Sequence, residues 1–85
     1  MNFKILLSPK VNNFLKKLEK NMEKRIREKL IELSINPELG KPLVGKLAGL
    51  WSLRVGDYRA IYQIRKSELL ILILKVGHRK NVYEE

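Results

Sequence analysis

Apolar and polar residues alternate between positions 50 and 65 with a period of two, which is typical of half-buried β-strands. The alternation is interrupted at Gly56-Asp57, where glycine in the first position favours a two-residue hairpin turn of a primed type. Counting outward from this turn predicts the cross-strand pairs Val55–Tyr58, Leu53–Ala60 and Trp51–Tyr62 on one face, and Arg54–Arg59 and Ser52–Ile61 on the other. One face is therefore predicted to be core, and the other to carry two arginines side by side.

The predicted pairing of Arg54 with Arg59 is unfavourable unless an anion lies between them. Directly opposed like charges destabilise an antiparallel sheet by about 0.2–1 kcal/mol. The hairpin pattern therefore predicts a site for an anion. The acidic residues are scattered along the chain without a pair that would favour carboxylate catalysis, and Asp57 is explained by the turn.

Upstream of the hairpin, the pattern predicts one strand and two helices. The strand covers residues 2–7, and Ser8-Pro9 follows it as an N-cap residue with proline at the first helical position. We expect a helix break near Lys20-Asn21 and the end of the second helix before Asn36-Pro37, because the residue before proline avoids the helical region. Apolar residues at helical spacing predict the inward faces as Val11, Phe14, Leu15, Leu18, Met22, Ile26, Leu30 and Leu33, widened by Ile31 and Ile35.

Lysines and arginines lie on the second helix and on the segment that follows it. Lys24, Arg25, Arg27 and Lys29 are predicted to form a solvated helix face. Residues 37–49 are predicted to be a loop, because Gly40, Pro42, Gly45 and Gly49 are spaced so that no long element can form. Lys41 and Lys46 on this loop are candidate contacts to a nucleic-acid backbone, although exposed lysines on a glycine-rich loop more often only face solvent.

The last long strand is predicted at Leu69 to Val76, whose nearly continuous apolar run is typical of a central strand covered on both faces. Gly77 is expected to interrupt it as a bulge or bend. This bend would bring His78, Arg79 and Lys80 beside the Arg54–Arg59 face. Register counting does not decide whether His78 or Arg79 points toward that face. The predicted fold is a single α+β domain over residues 1–85, with two N-terminal helices packed on a mainly antiparallel four-stranded sheet.

The amino-acid composition limits the kinds of chemistry and the kinds of partner that the chain is expected to have. The formal net charge is +9 over 85 residues, which favours a polyanionic partner such as RNA or DNA, or an acidic protein. With no cysteine and one histidine, we predict no disulfide, no metal site and no cofactor. The longest apolar run is far too short to span a bilayer, and no signal peptide is recognisable, so we expect a soluble cytoplasmic protein with no membrane partner.

Two segments, LAGLWSLRVGDYRAIYQI and ILKVGHRKNVY, together with the preceding loop and helices, resemble the RelE/ParE superfamily of type II toxin–antitoxin toxins, and most of all its RelE branch. The resemblance covers essentially the whole chain. It implies a metal-independent, ribosome-dependent endonuclease that cuts mRNA in the ribosomal A site through attack of the ribose 2′-hydroxyl. It also implies a RelB-type antitoxin as a partner in a toxin–antitoxin hetero-oligomer.

The resemblance also implies roles for single residues. Arg54 would lie near the scissile phosphate, and Arg59 would stabilise the transition state. Arg79 would protonate the leaving oxygen, and Tyr83 would stack on a base. Ser52 would be an RNA contact at a position where other members of the branch have a basic residue, so one charge of the usual basic cluster is missing.

Alternatives remain open for the chemistry and for the function. His78 is a secondary catalytic candidate, because imidazole titrates near neutral pH whereas guanidinium does not. Tyr83 has an alternative role, which is only to cover the edge of the sheet. Lys80 is a further candidate RNA contact. The alternative function is a ParE-like toxin that inhibits DNA gyrase by binding without catalysis. A third possibility is a member of the RelE branch whose site has decayed at Ser52.

Overall fold

Two helices and five strands organise residues 2–78, the part of the chain that this computed structural model describes. The elements are β1 (Lys4–Leu7), α1 (Pro9–Lys16), α2 (Lys20–Ile35), β2 (Lys41–Pro42), β3 (Trp51–Val55), β4 (Tyr58–Arg65) and β5 (Leu70–His78). The strands form one sheet in the order β1-β5-β4-β3-β2, in which only the pairing of β1 with β5 is parallel. The predicted α+β fold class is confirmed.

Local capping explains where the helices begin and end. The Ser8 hydroxyl accepts a hydrogen bond from the Val11 N–H at 3.1 Å, so that α1 starts at Pro9 as predicted. The helix break comes earlier than expected, because α1 ends at Lys16 and the Glu19 carboxylate caps α2 by accepting from the Met22 N–H at 3.3 Å. Helix α2 ends at Ile35, before Asn36-Pro37, as predicted.

The β3–β4 hairpin has the predicted register at all five pairs, including Arg54 opposite Arg59. Gly56 has φ +61, whereas Asp57 does not have a positive φ. A positive φ at the first central residue alone is the geometry of a type II′ turn, which glycine adopts without steric cost. The turn therefore fixes which side chains share a face.

Both helices cover the same face of the sheet. The core residues shared between helices and sheet include Leu15, Ile26, Leu33, Tyr62, Ile71 and Ile73, all at most 2 % exposed. The prediction that Ile31 and Ile35 widen the buried stripe is wrong, because each is 64 % exposed. Ile31 lies beside β1, which is an edge strand of the described sheet, so no further described strand covers it.

The predicted loop after α2 contains a short strand, which explains why the sheet has five strands among the described residues and not four. In β2, Lys41 pairs with Ser52 and Pro42 with Trp51. Two residues cannot display an alternating pattern, and the surrounding glycines and prolines favour a loop. Proline is compatible with this edge position, where its missing N–H is not needed by a neighbour.

Strand β5 differs from its prediction in two ways. It is an internal strand, but Leu74 is 47 % exposed, because helices cover only one face of the sheet. The bulge lies near Leu74 and not at Gly77. Ile61 pairs with Lys75 while Tyr62 pairs with Ile73, and Gly77 continues the pairing opposite Arg59. Neither helix of the described residues is long and apolar enough to cross a bilayer.

Candidate active site

A cavity of about 370 Å³ opens at the β3 side of the sheet. Strand β2 pairs only with Trp51 and Ser52, so within residues 2–78 the rest of β3 has no strand neighbour on that side, and α2 approaches this edge. The lining residues are Lys29, Leu39, Gly40, Lys41, Ser52, Leu53, Arg54 and Arg59. Among the described residues of this lining, all four ionisable side chains are cations.

The two predicted arginines both line the cavity, and each is held at one nitrogen. Arg54 Nε donates to the Gly56 carbonyl at 3.2 Å, so this side chain is fastened to its own hairpin turn. Arg59 Nη1 donates to the Ser52 hydroxyl at 3.4 Å. A guanidinium carries five N–H donors in a planar fork, so each arginine keeps further donors for a ligand.

Ser52 is predicted from the sequence as a direct RNA contact, and the structure gives it a second role. It is only 4 % exposed and lies in the cavity wall. Its hydroxyl oxygen accepts the hydrogen bond from Arg59. Ser52 thus holds the arginine that lies nearest to it across the hairpin.

Two lysines complete the cationic lining. Lys41 is the cross-strand neighbour of Ser52 and therefore projects from the same face of the sheet as Arg54 and Arg59. Lys29 comes from α2, and its ammonium lies 3.4 Å from the Glu32 carboxylate at the surface. Lys29 lies on the partly exposed helix face predicted for it and also lines the cavity, a second position that the sequence did not predict. No local signal in the sequence identifies it, because its position depends on how α2 is rotated against β3.

Other basic residues that the sequence singled out lie away from the cavity or outside the described residues. Lys46 lies in the short 3-10 helix Gly45–Leu47 and does not line the cavity. Arg27 belongs to a surface network, since its guanidinium donates to Glu23 and to Asn12. Three predicted site residues, Arg79, Lys80 and Tyr83, lie outside the described residues.

The sequence left open whether His78 or Arg79 points toward the arginines, and the structure places His78 on the other face of the sheet. His78 pairs with Tyr58, and the two ring centroids are 5.9 Å apart. Tyr58 in turn packs edge-on against Phe14 of α1, with ring centroids 6.2 Å apart, so both rings belong to the helix-covered face. Arg59, which is adjacent to Tyr58 along β4, projects to the opposite face. The cavity therefore does not bring His78 together with Arg54 and Arg59.

Tyr62 reaches the cavity wall from inside the core, a role that sequence reasoning missed. Its ring is fully buried and stacks on Trp51 with centroids 6.2 Å apart, as expected for a core residue. Its hydroxyl accepts from the Gly40 N–H at 3.1 Å and donates to the Pro37 carbonyl at 2.8 Å. Burial raises the pKa of Tyr62 above its ordinary value, and the nearby Glu38 carboxylate acts in the same direction against the Gly40 hydrogen bond.

Within residues 2–78, no group of three or more His, Asp or Glu side chains comes together with the geometry of a metal site. The chemistry that the cavity itself offers is the binding of an anion by fixed guanidinium and ammonium groups. Phosphate suits this arrangement, because guanidinium forks match phosphate oxygens in geometry and in charge.

Two helices packed on one face of a mainly antiparallel sheet form a fold that this chain shares with RelE-like toxins of solved structure. The chain belongs to the RelE/ParE superfamily of type II toxin–antitoxin toxins, since its residues 5–83 match the family model described as the ParE toxin of the parDE type II toxin–antitoxin system. The resemblance inferred from the sequence is confirmed.

Individual relatives agree with this family. Toxin RelG of Mycobacterium tuberculosis is 43 % identical over 53 residues, a match that spans 61 % of this chain and 61 % of that relative's length. The toxin–antitoxin complex RelBE2 of the same organism contains a chain with a TM-score of 0.84 and 32 % identity, covering 93 % of this chain and 100 % of that one. The archaeal RelE–RelB complex of Pyrococcus horikoshii gives a TM-score of 0.77 at 28 % identity, covering 96 % and 100 %.

Proposed function

We propose that this toxin is a metal-independent endoribonuclease that cleaves mRNA in the A site of the ribosome and thereby inhibits translation. The observation that carries the proposal is the cavity in which Lys29, Lys41, Arg54 and Arg59 meet, with no acid among its described lining residues. Four cations around one small cavity repel one another even with Glu32 beside Lys29, and a phosphodiester with its neighbouring phosphates would neutralise them. The similarity to RelE-like toxins supports the same class of substrate.

The chemistry needs no nucleophile from the protein, because RNA contains its own. The ribose 2′-oxygen attacks the adjacent phosphorus, its proton passes to a base, the bond from phosphorus to the 5′-oxygen breaks, and the leaving oxygen takes a proton. The products are a 2′,3′-cyclic phosphate and a free 5′-hydroxyl. Arg54 would hold the scissile phosphate, and Arg59 would stabilise the additional negative charge of the transition state. Fixed donors of this kind are effective because they need no reorganisation during the reaction.

The remaining candidate roles come from the C-terminal residues. Arg79 would protonate the leaving 5′-oxygen, and Tyr83 would stack on an exposed base, as aromatic side chains do with single-stranded RNA. Lys80 would contact the backbone as a point charge. The ribosome would supply the ordered, unpaired codon that the small cavity on this 85-residue chain could not orient by itself.

We also propose that a RelB-type antitoxin neutralises this chain in a toxin–antitoxin hetero-oligomer. The net charge of +9 favours a partner with acidic residues, and an amphipathic segment would cover exposed apolar side chains, among them Leu39 in the cavity lining. Co-expression with the neighbouring small open reading frame should give a co-purifying complex and relieve growth arrest. Failure of every neighbouring gene product to bind would contradict the partnership.

The proposed activity is tested by incubating the purified toxin with free mRNA, with ribosomes carrying a defined codon in the A site, and with DNA gyrase plus plasmid. We expect cleavage within the A-site codon on ribosomes, with a cyclic phosphate at the new 3′ end. A codon with a 2′-deoxyribose at the cleavage position should remain intact, because the nucleophile is missing. Cleavage of the deoxy codon, or no cleavage on ribosomes, would refute the proposed mechanism.

The alternative is that the toxin inhibits DNA gyrase by binding without catalysis, and the description of the matching family model as a ParE toxin favours it. In that case the gyrase arm of the experiment should show inhibited supercoiling while mRNA on ribosomes stays intact. A binding module has no need to place two arginines opposite each other across a hairpin. We therefore favour RNA cleavage.

A further inference from the structure

The hydroxyl of Tyr62 makes hydrogen bonds that the packing of its ring does not require. The ring is fully buried and stacks on Trp51, so a phenylalanine would fill nearly the same space. The hydroxyl instead joins two points of the segment after α2, accepting from Gly40 N–H at 3.1 Å and donating to the Pro37 carbonyl at 2.8 Å. Tyr62 thus fastens this segment to the central strand β4.

Gly40 is pressed against β3 at the same place. A Cβ atom on Gly40 would clash with the Ser52 carbonyl oxygen and would lie 2.8 Å from the Tyr62 hydroxyl oxygen. Because the Ser52 carbonyl belongs to the backbone of β3 and cannot turn aside as a side chain can, only glycine allows the segment to come this close. The close approach to β3 and the hydrogen bond to Tyr62 both hold Gly40, which directly precedes Lys41 in the chain.

Lys41 depends on these contacts for its position. Strand β2 has only two residues and lies at the edge of the sheet, where two cross-strand pairs hold it to β3. Its pairing places Lys41 directly opposite Ser52, with the Cβ atoms of such a pair about 4.5–5.5 Å apart. Lys41 therefore brings an ammonium group to the one position on the arginine side of β3 where the strand itself has an uncharged, buried side chain.

We infer that Lys41 provides the phosphate-binding charge that β3 lacks at Ser52, and that the Tyr62 hydroxyl is the positioning group that holds β2 so that Lys41 faces Arg59. The inference rests on the proposed function for the identity of the ligand, a phosphate of the RNA strand. The structural half concerns only the attachment of residues 37–41 to β4. The two halves can therefore be tested separately.

The first measurement follows amide hydrogen exchange in Tyr62→Phe, with no substrate present. The Gly40 amide loses its acceptor, so we expect it to exchange at least tenfold faster, together with the amides of neighbouring residues, while the β3–β4 hairpin stays protected. Unchanged exchange at Gly40 would overturn the positioning role, whether or not the toxin cleaves RNA.

The second measurement is a double-mutant cycle on programmed ribosomes. We expect Lys41→Ala to lower kcat/KM by about ten- to a hundredfold, since it removes one charged phosphate contact, and Tyr62→Phe to lower it less. If Tyr62 acts through Lys41, adding Tyr62→Phe to Lys41→Ala should cause almost no further loss. Full additivity of the two losses, or wild-type activity of Lys41→Ala, would refute the inference. Lys41→Arg should retain activity, and Lys10→Ala on the exposed start of α1 is the matched control for loss of one positive charge.

The third measurement is rescue. Ser52→Lys places a charge on β3 itself and makes the position of β2 unimportant, so Ser52→Lys should restore part of the activity lost in Lys41→Ala. Should Ser52→Lys fail to fold because that site is buried, the double-mutant cycle still decides the question. If the wild-type toxin cleaves no RNA in any arm, the proposed function fails, and hydrogen exchange alone decides whether Tyr62 positions β2.

Discussion

Replacing Arg59 by alanine should separate function from stability in this toxin. Arg59 faces Arg54 across the hairpin, and its Nη1 atom makes one 3.4 Å hydrogen bond to Ser52. Removing it relieves a like-charge repulsion of about 0.2–1 kcal/mol. The same change loses one long hydrogen bond, worth at most about 0.5–1.5 kcal/mol. The two terms have opposite signs and similar size, so the free energy of unfolding should change by less than about 1 kcal/mol.

The effect on cleavage should be much larger. Removing one donor that stabilises transition-state charge typically slows an enzyme about 100- to 1,000-fold, which corresponds to about 2.7–4 kcal/mol. We therefore expect Arg59→Ala to abolish growth arrest and to slow mRNA cleavage at least about 100-fold. Arg54→Ala should have a smaller effect, because the Arg54 side chain is exposed and fastened to the turn.

Cleavage assays and thermal melts on the same preparations test this reasoning. A change of about 1 kcal/mol shifts the melting temperature of a domain this small by about 4–8 °C, so a larger fall would show that Arg59 holds the structure together. A stable Arg59→Ala variant with full cleavage would remove Arg59 from the active site. Arg65→Ala is the matched control, because Arg65 lies at the far end of β4 and pairs with Glu68 at the surface. It should cleave like the wild type.

Four further predictions concern metal, the helix contribution, backbone strain and alkaline pH. Cleavage on ribosomes assembled beforehand should be unchanged in excess EDTA, and recovery of activity that depends on a divalent ion bound to the toxin would contradict this. Lys29→Ala should slow cleavage about tenfold, because it removes one charged phosphate contact. Lys24 is exposed on the same helix, and Lys24→Ala should leave the cleavage rate unchanged. Equal activities of the two variants would exclude α2 from the site. Leu69 adopts φ 51 and ψ 49, a left-handed conformation that costs a non-glycine residue about 1–2 kcal/mol. Leu69→Gly should therefore raise the melting temperature by a few degrees. A lower melting temperature would show that the Leu69 side chain contributes more stability than the backbone strain costs. Burial raises the folded-state pKa of Tyr62 above the ordinary tyrosine pKa of about 10. The stabilising contribution of the neutral Tyr62 hydroxyl is therefore present below about pH 10 and is lost as the pH rises through the raised pKa. Wild-type stability should fall more steeply above about pH 10 than the stability of Tyr62→Phe.

The local parts of the fold follow from the sequence alone. The hairpin register is correct at every pair because a two-residue turn and a period-two pattern leave no other alignment that keeps the apolar face buried. The start of α1 and the end of α2 follow from Ser8-Pro9 and from the proline after Asn36, which act within a few residues. The opposition of Arg54 and Arg59, from which the hypothesis of an anion site follows, was therefore predictable without any tertiary information.

The rest of the cavity depends on contacts between distant parts of the chain. Lys29 joins the arginines only because α2 packs with that side turned toward β3, and Lys41 joins them only because two residues of a glycine-rich segment pair with the sheet edge. Neither event leaves a periodic signal.

His78 shows the same limit within a single strand. Alternation along β5 from the buried Ile73 would place His78 on the arginine side, but one extra residue near Leu74 shifts the alternation, so that Val76 and His78 return to the helix-covered face. A bulge is decided by how two strands fit against each other and against the helices. For this reason the sequence located the arginines correctly, and only the tertiary structure could decide which side of the sheet the histidine occupies.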